Sequence, residues 1–311
     1  MMMNRLRTAT KSKAYMAQTR WLFHCHCKIK IPLHHGEGLL DDCFAIMEQV
    51  DRLYNSYQSG SFFDQINQQA GTWVRVDDTT IKLLQTLKRI SVLTDGAYAI
   101  SSMPLLQGWG FYEQDGGRIP TPTALSDALS RVDDEAIQLE SNRVRIAKGQ
   151  SLITGSFAKA IAADRVIAHL RAQGVTDAIV NAGGSSICAL NDASHPQWHV
   201  RVPDPLSAEQ AQLRLPLANA CFSLSGSANN HLVIDDKRYS HIVHGRTGWP
   251  ANTRQVLLRT DDAFLGDALS TAIFVLTPSQ RDAVIAKLAQ EFSFSYRRVE
   301  EQGKQIQSTC F

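Results

Sequence analysis

From residue 21 onward, segments with the two-residue period of β-strands and segments with the 3.6-residue period of α-helices follow one another without a Pro- or Gly-rich linker. Residues 39–54 repeat apolar side chains at three- and four-residue steps, which predicts an amphipathic helix, whereas residues 21–31 alternate and predict a strand. The two kinds of segment do not alternate strictly, as they would in repeated βαβ units. We therefore predict an α+β fold with mixed, largely antiparallel sheets flanked by helices, in one domain over residues 21–311.

The same patterns predict the other elements. Asp78 is expected to cap one helix, and Thr277 forms a capping box with Gln280 at the start of another. A hairpin is expected across Ser141 and Asn142. The remaining predicted helices are 123–132, 156–172, 267–276 and 278–289, the remaining strands are 72–76, 178–181, 198–202, 220–224, 231–234 and 255–259, and irregular chain is expected around 104–122.

The balance of charges restricts the class of partner. Lys and Arg number 32 and Asp and Glu number 30, for a net charge of +2. A protein that binds nucleic acid through bulk positive charge needs a clear excess of basic residues, so we expect no nucleic-acid partner. Since no stretch reaches the roughly eighteen apolar residues that cross a bilayer, we expect no membrane span.

The N-terminal segment is basic. Residues 1–20 carry five Lys or Arg residues and no acidic residue, and they lack the apolar segment of a secretory signal peptide. We expect a basic tail without fixed structure, although an organellar transit sequence has a similar composition. The six cysteines show no repeated CxxC pair, so we expect reduced thiols and a cytoplasmic location.

The run His24-Cys25-His26-Cys27 contains four residue types that bind zinc. On a strand, the two histidines point to one face and the two cysteines to the other. Four tetrahedral ligands cannot converge from that arrangement unless the strand is broken. A structural strand is the favoured interpretation, and a metal site is the alternative.

Asp267 and Thr271 are four residues apart on a predicted helix, so they share one face. A carboxylate and a hydroxyl in the first turn of a helix suit Mg²⁺, which needs few protein ligands when it also binds substrate phosphates. The alternative is a carboxylate that stabilises the helix dipole, with Thr271 incidental. Taken by itself, this pair favours the alternative.

Two further segments carry polar groups at positions that are typical of binding or catalytic sites. Gly155 and Ser156 precede a predicted helix that carries Lys159, and the amides of a helix start together with a lysine can hold a phosphate. His241 lies where a predicted strand runs into a Gly-rich turn, a place for a general base near neutral pH. An ordinary helix start and a packed histidine remain the alternatives.

Eight short motifs in one order resemble the ApbE family, the FAD:protein FMN transferases, from about residue 21 to residue 299. Each motif is short, but chance is a poor explanation for eight motifs that follow one another in the family's order. The motifs are YQSGSFFDQIN (57–67), TDGAY (94–98), PLLQGWGF (104–111), AKAIAADR (158–165), VNAGG (180–184), SLSG (223–226), SHIV with TG (240–243 and 247–248) and DALSTA (267–272).

The resemblance implies an activity and a set of site residues. Enzymes of this family bind FAD and Mg²⁺, move FMN onto a Ser or Thr hydroxyl of a partner protein, and release AMP. Matched by position, Asp267 and Thr271 fall on the side-chain ligands of the metal, Ser156 on a backbone carbonyl ligand, and His241 on the base. The positions that contact the flavin nucleotide are Tyr57, the backbone of Ala97 and Tyr98, Lys159 and Val243.

This sequence departs from the family pattern at several motif positions. Three family carboxylates are replaced by Ala99, Ile153 and His244. A Met-Gly-Thr segment becomes residues 23–25, the Gly after the lysine becomes Ala160, and a Pro becomes Gly245. The leading hypothesis is an FAD:protein FMN transferase; the alternatives are a catalytically silent flavin- or partner-binding module on the same fold, and an FAD pyrophosphatase.

Overall fold

A computed structural model describes residues 13–111, 117–207, 212–228 and 230–300, and the backbone of residues 305–307. Its helices are α1 Glu37–Tyr54, α2 Phe62–Gln68, α3 Asp78–Leu93, α4 Met103–Gly108, α5 Pro122–Leu129, α6 Ala158–Ala172, α7 Ala263–Val275 and α8 Pro278–Glu291. Its strands are β1 Tyr15–Leu22, β2 Cys25–Pro32, β3 Val74–Arg75, β4 Gln138–Glu140, β5 Arg143–Arg145, β6 Ala178–Ala182, β7 Ser186–Leu190, β8 Trp198–Pro203, β9 Gln212–Leu217, β10 Cys221–Gly226, β11 His231–Ile234, β12 Lys237–Ser240, β13 Thr253–Thr260, β14 Ser295–Glu300 and β15 Gln305–Gln307. Within these ranges, no helix is both long and apolar enough to cross a membrane.

An eight-stranded sheet organises the molecule, in the order β1-β2-β6-β7-β10-β13-β14-β15. Every neighbouring pair in it is antiparallel. Smaller sheets pair β11 with β12, β8 with β9, and β3, β5 and β4. This confirms the predicted α+β class with largely antiparallel sheets and flanking helices.

Both faces of the central sheet are covered. One face carries the main core, where Ile29 and Ile31 of β2 pack with Phe44 and Met47 of α1. A second apolar cluster on strands β7, β8, β9, β10 and β13 includes Val200. Since β7 lies between the two layers, all five of its residues are buried, as is typical of a strand covered on both sides.

The predicted strand over residues 21–31 is wrong, because it is a hairpin. β1 and β2 pair in register around a two-residue turn at Phe23 and His24, whose φ angles are 51° and 58°. Positive φ at both turn residues is the geometry of a type I′ hairpin, which usually requires Gly or Asn. Neither residue type is present, so the usual sequence signal of this turn is missing.

The predicted boundary of the N-terminal tail is also wrong. β1 begins at Tyr15, so residues 15–20 belong to the central sheet. The charged Arg20 lies on that strand and forms ion pairs with Asp41 and Glu48 of α1. Residues 1–12 of the predicted tail lie outside the described residues.

Two helix predictions and one prediction of irregular chain require correction, while the other predicted helices hold to within a few residues. Asp77, rather than Asp78, caps α3, because its carboxylate accepts from the amide of Thr80. The chain around 104–122 includes the short helix α4, where a Pro at the start is tolerated. α7 begins at Ala263, one turn earlier than predicted, with Asp262 as its cap. The predicted capping box at the start of α8 is confirmed.

The expectation of reduced cysteines does not hold for one pair. Cys188 of β7 and Cys221 of β10 lie directly opposite each other in the sheet and form a disulfide. Cys25, Cys27 and Cys43 are free thiols. Spacing along the chain did not indicate the pair, because the two residues meet only through the order of the strands.

Candidate active site

Asp267 is a buried carboxylate in the second turn of α7. Its side chain accepts a hydrogen bond of 2.6 Å from the hydroxyl of Ser186, at the start of β7. Burial raises the pKa of Asp267 to about 6, although the charge of Lys159 and the hydroxyl of Ser186 act in the opposite direction. The prediction that Asp267 lies in the first helical turn is wrong, so it does not serve as the N-terminal cap.

Thr271 lies one turn further along α7 and shares the face of Asp267, as the spacing predicted. Its hydroxyl donates to the backbone carbonyl oxygen of Asp267 at 3.1 Å and lies 3.4 Å from Oγ of Ser225 on β10. Ser223, on the same face of β10, is buried, and its hydroxyl has no hydrogen-bond partner among the described residues. The face of α7 that carries Asp267 and Thr271 therefore lies against the hydroxyl groups of β10. Sequence reasoning missed the role of Ser186, which no motif signalled.

Tyr98 and Ser156 meet within electrostatic range of Asp267. The two hydroxyl oxygens are 3.2 Å apart. Burial raises the pKa of Tyr98, and the negative charges of Asp134 and Asp267 add to the shift. Ser156 and the neighbourhood of Asp267 are therefore brought together from segments far apart in the sequence.

Asp134 supports the loop that follows Tyr98. It is buried, and its carboxylate accepts from the amides of Ile100 and Ser101 at 2.9 and 3.0 Å. A carboxylate that accepts two backbone amides holds them in place, because an unpaired buried amide is costly. Asp134 lies outside the recognised motifs, so sequence reasoning did not find it.

Lys159 is a cation whose charge acts on several groups of the site. It is the second residue of α6, and its ammonium donates to the carbonyl oxygen of Gly155 at 3.4 Å. Its positive charge lowers the pKa values of Asp267, His241 and Cys25, which places it within electrostatic range of all three. Lys159 thus links the predicted metal ligand to the predicted base.

His241 is held as a neutral imidazole. Its Nδ1 lies 2.9 Å from the carbonyl oxygen of Asn230. A carbonyl oxygen can only accept, so Nδ1 carries the proton and the lone pair is on Nε2. Burial, together with the charge of Lys159, lowers the pKa of His241 to about 4. A neutral imidazole with an open Nε2 is suited to take up a proton.

The segment after His241 docks against the turn that contains Ala97. The amide of Gly245 donates to the carbonyl oxygen of Ala97 at 2.8 Å, and Nε of Arg246 donates to that of Asp95 at 3.0 Å. Val243 is buried against α4 and forms an isolated bridge with Pro250. The predicted nucleotide contacts at the backbone of Ala97 and Tyr98 and at Val243 therefore lie in one unit.

Tyr57 lines a separate part of the surface. It is 44% exposed and borders a cavity of about 780 Å³ that also includes Met103, Pro104 and Arg118. Among the described residues, none of the other predicted site residues lines this cavity. Ser56, next to Tyr57, links this cavity to the rest of the candidate site through Thr154. The hydroxyl oxygens of Ser56 and Thr154 are 3.1 Å apart.

The three replaced carboxylate positions are occupied by neutral side chains. Ile153 packs against the apolar cluster of α4, and Ala99 lies beside Gly245. His244 is buried; its Nδ1 accepts from the amide of Arg246, so Nε2 carries the proton and donates to Oε1 of Gln280. Burial lowers the pKa of His244, which keeps the ring neutral.

The oxygen atoms around Asp267 fit a hard divalent cation. The group combines a buried carboxylate, the hydroxyl of Thr271 and the orphaned hydroxyl of Ser223, which are the donor types that Mg²⁺ prefers. Among the described residues, the one cluster of three metal-binding side chains is Asp164 with the disulfide-bonded Cys188 and Cys221, and it does not include residues 24–27.

Comparison with known proteins places these features in a family. The model of the ApbE family matches residues 23–294. An FAD:protein FMN transferase of Treponema pallidum (strain Nichols) is 28% identical over 277 residues, which span 80% of this chain and 75% of that protein. One from Klebsiella pneumoniae (strain 342) is 27% identical over 78% of this chain and 77% of its own.

Solved structures show the same fold. The flavinyl transferase ApbE of Pseudomonas stutzeri, in its apo form, aligns with a TM-score of 0.80 and 25% identity, over 96% of this chain and 95% of that one. The ApbE protein of Thermotoga maritima aligns with a TM-score of 0.84 and 24% identity, over 95% and 97%.

Proposed function

The chain belongs to the ApbE family, and from that premise we propose that it is an FAD:protein FMN transferase. In this proposal it moves FMN from FAD to a Ser or Thr hydroxyl of a partner protein, requires Mg²⁺, and releases AMP. The observation that carries the proposal is that the charge of Lys159 acts on both Asp267 and His241, while the hydroxyl of Thr271 is bonded to the backbone of Asp267, so that groups from three separate parts of the chain interact.

Asp267 and Thr271 are the side chains that would hold Mg²⁺, with the backbone carbonyl of Ser156 as a third ligand. When bound, the ion neutralises the charge that develops on the pyrophosphate as it is cleaved. Burial keeps water away from Asp267, which strengthens its attraction for a cation. The hydrogen bond from Ser186 fixes the orientation of the carboxylate.

His241 is the proposed base. Because Nδ1 donates to Asn230, Nε2 is left to accept the proton of the incoming Ser or Thr hydroxyl. Lys159 is placed to hold a phosphate oxygen, since it is a point charge at the start of a helix. Burial keeps His241 from protonating before the reaction, and the same positive charge contributes to this effect.

The remaining predicted residues would bind the flavin nucleotide. Tyr57 offers an exposed aromatic ring at the edge of a cavity, and the backbone of Ala97 and Tyr98 lies in a turn held by Gly245. Val243 supports that turn from the apolar side.

A specific observation favours a second candidate, a catalytically silent flavin- or partner-binding module. Ala99, Ile153 and His244 are neutral and packed, so the negative charge available to a metal ion is reduced at three family positions. Fewer carboxylate ligands mean weaker binding of a hard cation.

One experiment separates these functions. The purified chain is incubated with FAD, with and without Mg²⁺, in the presence of a library of Ser- and Thr-containing polypeptides, and AMP, free FMN and polypeptide mass are measured. A transferase gives AMP and an equal amount of FMN attached to polypeptide, only with Mg²⁺. AMP with free FMN identifies a pyrophosphatase, and bound FAD without AMP identifies the silent module. Either of the last two results contradicts the proposal.

A further inference from the structure

Two free thiols lie together at one edge of the candidate site. Cys25 is the first residue of β2 and Cys27 is the third, so both side chains point to the same face of the strand. Their sulfur atoms are 4.0 Å apart. Cys27 is buried, whereas Cys25 is only partly buried and therefore accessible to a small reagent.

Cys25 shares its surroundings with Lys159. A Cβ atom built on Gly183 would lie 2.7 Å from Sγ of Cys25 and 3.5 Å from Cδ of Lys159. Both side chains therefore pack over the same glycine, which follows β6. The family motif has Thr at the position of Cys25, so this thiol is a feature of the present sequence.

The surroundings distribute charge unequally between the two thiols. The pKa of Cys25 is lowered to about 7, chiefly because the thiol of Cys27 donates a hydrogen bond to its sulfur, with a further contribution from Lys159. The same hydrogen bond and burial raise the pKa of Cys27. Near neutral pH, the thiolate is therefore more populated on the accessible sulfur of Cys25, while the buried Cys27 keeps its proton.

We propose that Cys25 and Cys27 form a dithiol that peroxides oxidise to an intrachain disulfide at the Lys159 side of the site. The thiolate sulfur of Cys25 attacks one oxygen of the peroxide, the O–O bond breaks, and Cys25 becomes a sulfenic acid while hydroxide leaves. The sulfur of Cys27 then attacks the sulfenic sulfur, loses its proton, and displaces water. The two thiols together lose two electrons and two protons, and hydrogen peroxide is reduced to two molecules of water.

The backbone leaves room for the second step. A disulfide needs the two sulfur atoms to move from 4.0 Å to about 2.05 Å apart. Cys25 pairs only with Leu22, next to the hairpin turn, whereas Cys27 is paired on both sides, with Arg20 and Ala182. The movement can therefore take place at the end of the strand, without disturbing the sheet.

Cys43 provides a control within the same molecule. It is a free thiol on α1, fully buried, and burial raises its pKa to about 12. Since the thiolate is the reactive form, we expect peroxide to oxidise Cys25 at least about tenfold faster than Cys43.

The test treats the folded full-length protein with hydrogen peroxide, alkylates the remaining thiols, and maps the products by mass spectrometry. Cys25 and Cys27 fall within one tryptic peptide, residues 21–28, so their disulfide appears as the loss of two hydrogens and of both alkylation sites. Cys43 should still be alkylated. Retention of both alkylation sites in peptide 21–28 after peroxide treatment overturns the proposal.

Two variants make the result specific. In Cys27→Ser the second step is blocked, so dimedone should trap a sulfenic acid on Cys25, and in Cys25→Ser the remaining Cys27 should give no adduct. Absence of a dimedone adduct in Cys27→Ser contradicts the first step. Neither readout requires FAD or turnover, so failure of the dithiol and failure of the transferase activity are distinguished.

Discussion

The carboxylate of Asp164, on α6, accepts a hydrogen bond of 2.7 Å from the backbone amide of Ala263, the first residue of α7. A second bond of 2.8 Å comes from the amide of Phe264, and Asp262 accepts from Leu265. The first amides of a helix have no partner within the helix, so two carboxylates here satisfy three of them. The helix that carries Lys159 is thereby joined to the helix that carries Asp267.

Replacing Asp164 with Asn should weaken this junction. Asn keeps one acceptor but turns an N–H group toward the helix amides, so one of them loses its partner. We expect the free energy of unfolding to fall by roughly 1–3 kcal/mol, measured by urea denaturation. Asp261→Asn makes the same change at an exposed neighbour and should stay within about 0.5 kcal/mol.

The difference in the free energy of unfolding between the parent and Asp164→Asn should depend on pH in one direction. Burial raises the pKa of Asp164 from 3.8 to about 7. Between these values the unfolded chain has lost the proton and the folded chain retains it, so the contribution of Asp164 to stability falls as pH rises. Parent and Asp164→Asn should therefore differ more near pH 4 than above pH 7, and a gap that widens with pH would contradict the assignment.

Asp267→Asn should weaken metal binding without lowering the stability of the protein. It removes the buried charge but keeps an oxygen that can accept from Ser186. We expect Mg²⁺-dependent FAD binding, measured by calorimetry, to weaken roughly ten- to hundredfold or more. Without metal, stability should be unchanged or higher, because burial disfavours the charged form of Asp267. If FAD binding keeps its full Mg²⁺ dependence, Asp267 is not a metal ligand.

His241 should remain neutral well below the usual range of histidine. Its pKa is lowered to about 4, and the hydrogen bond to Asn230 selects the Nδ1–H tautomer. Nitrogen-15 NMR of the imidazole should show that tautomer at neutral pH and protonation only as the pH falls toward 4. Titration near 6.5, or a proton on Nε2, would rule out the proposed arrangement of the base.

Gly245→Ala should push the segment after His241 away from the turn that contains Ala97, and both belong to the proposed nucleotide site. A Cβ at this position would lie 2.4 Å from the carbonyl oxygen of Gly96 and 3.0 Å from Cβ of Ala99, so the segment must move away. Overpacking of this kind costs roughly 1–3 kcal/mol, and FAD binding should weaken with it. Gly38→Ala, on α1 with no atom within 4 Å of the added Cβ, should not destabilise. Thermal melting and FAD titration of both variants provide the comparison.

Restoring two of the family carboxylates tests the silent alternative. Ala99→Asp combined with Ile153→Asp adds negative charge at two motif positions where this chain has none. We expect tighter Mg²⁺-dependent FAD binding, because more oxygen ligands attract the ion. The neutral pair Ala99→Asn with Ile153→Asn is the control for shape. Equal affinity in the two double variants would mean that these positions do not act on the nucleotide.

Local patterns in the sequence determined much of this protein. The periods of apolar residues identified most helices and strands, since side chains three or four apart share a helix face and those two apart share a strand face. The four-residue spacing placed Thr271 beside Asp267. The order of short motifs identified the family, which the family model confirms over residues 23–294.

Only the tertiary structure decided which distant groups meet. Ser186 and Asp134 hold parts of the site from segments that no motif marks, and the contact of Asp164 with α7 was not evident from the motif that contains it. The pairing of Cys188 with Cys221 follows from strand order, and the hairpin turn at residues 23–24 determines which strand end carries Cys25. The period of the apolar residues indicates which side of each segment faces the core. Contacts between segments depend on how those sides pack together, and the packing is determined by the whole chain.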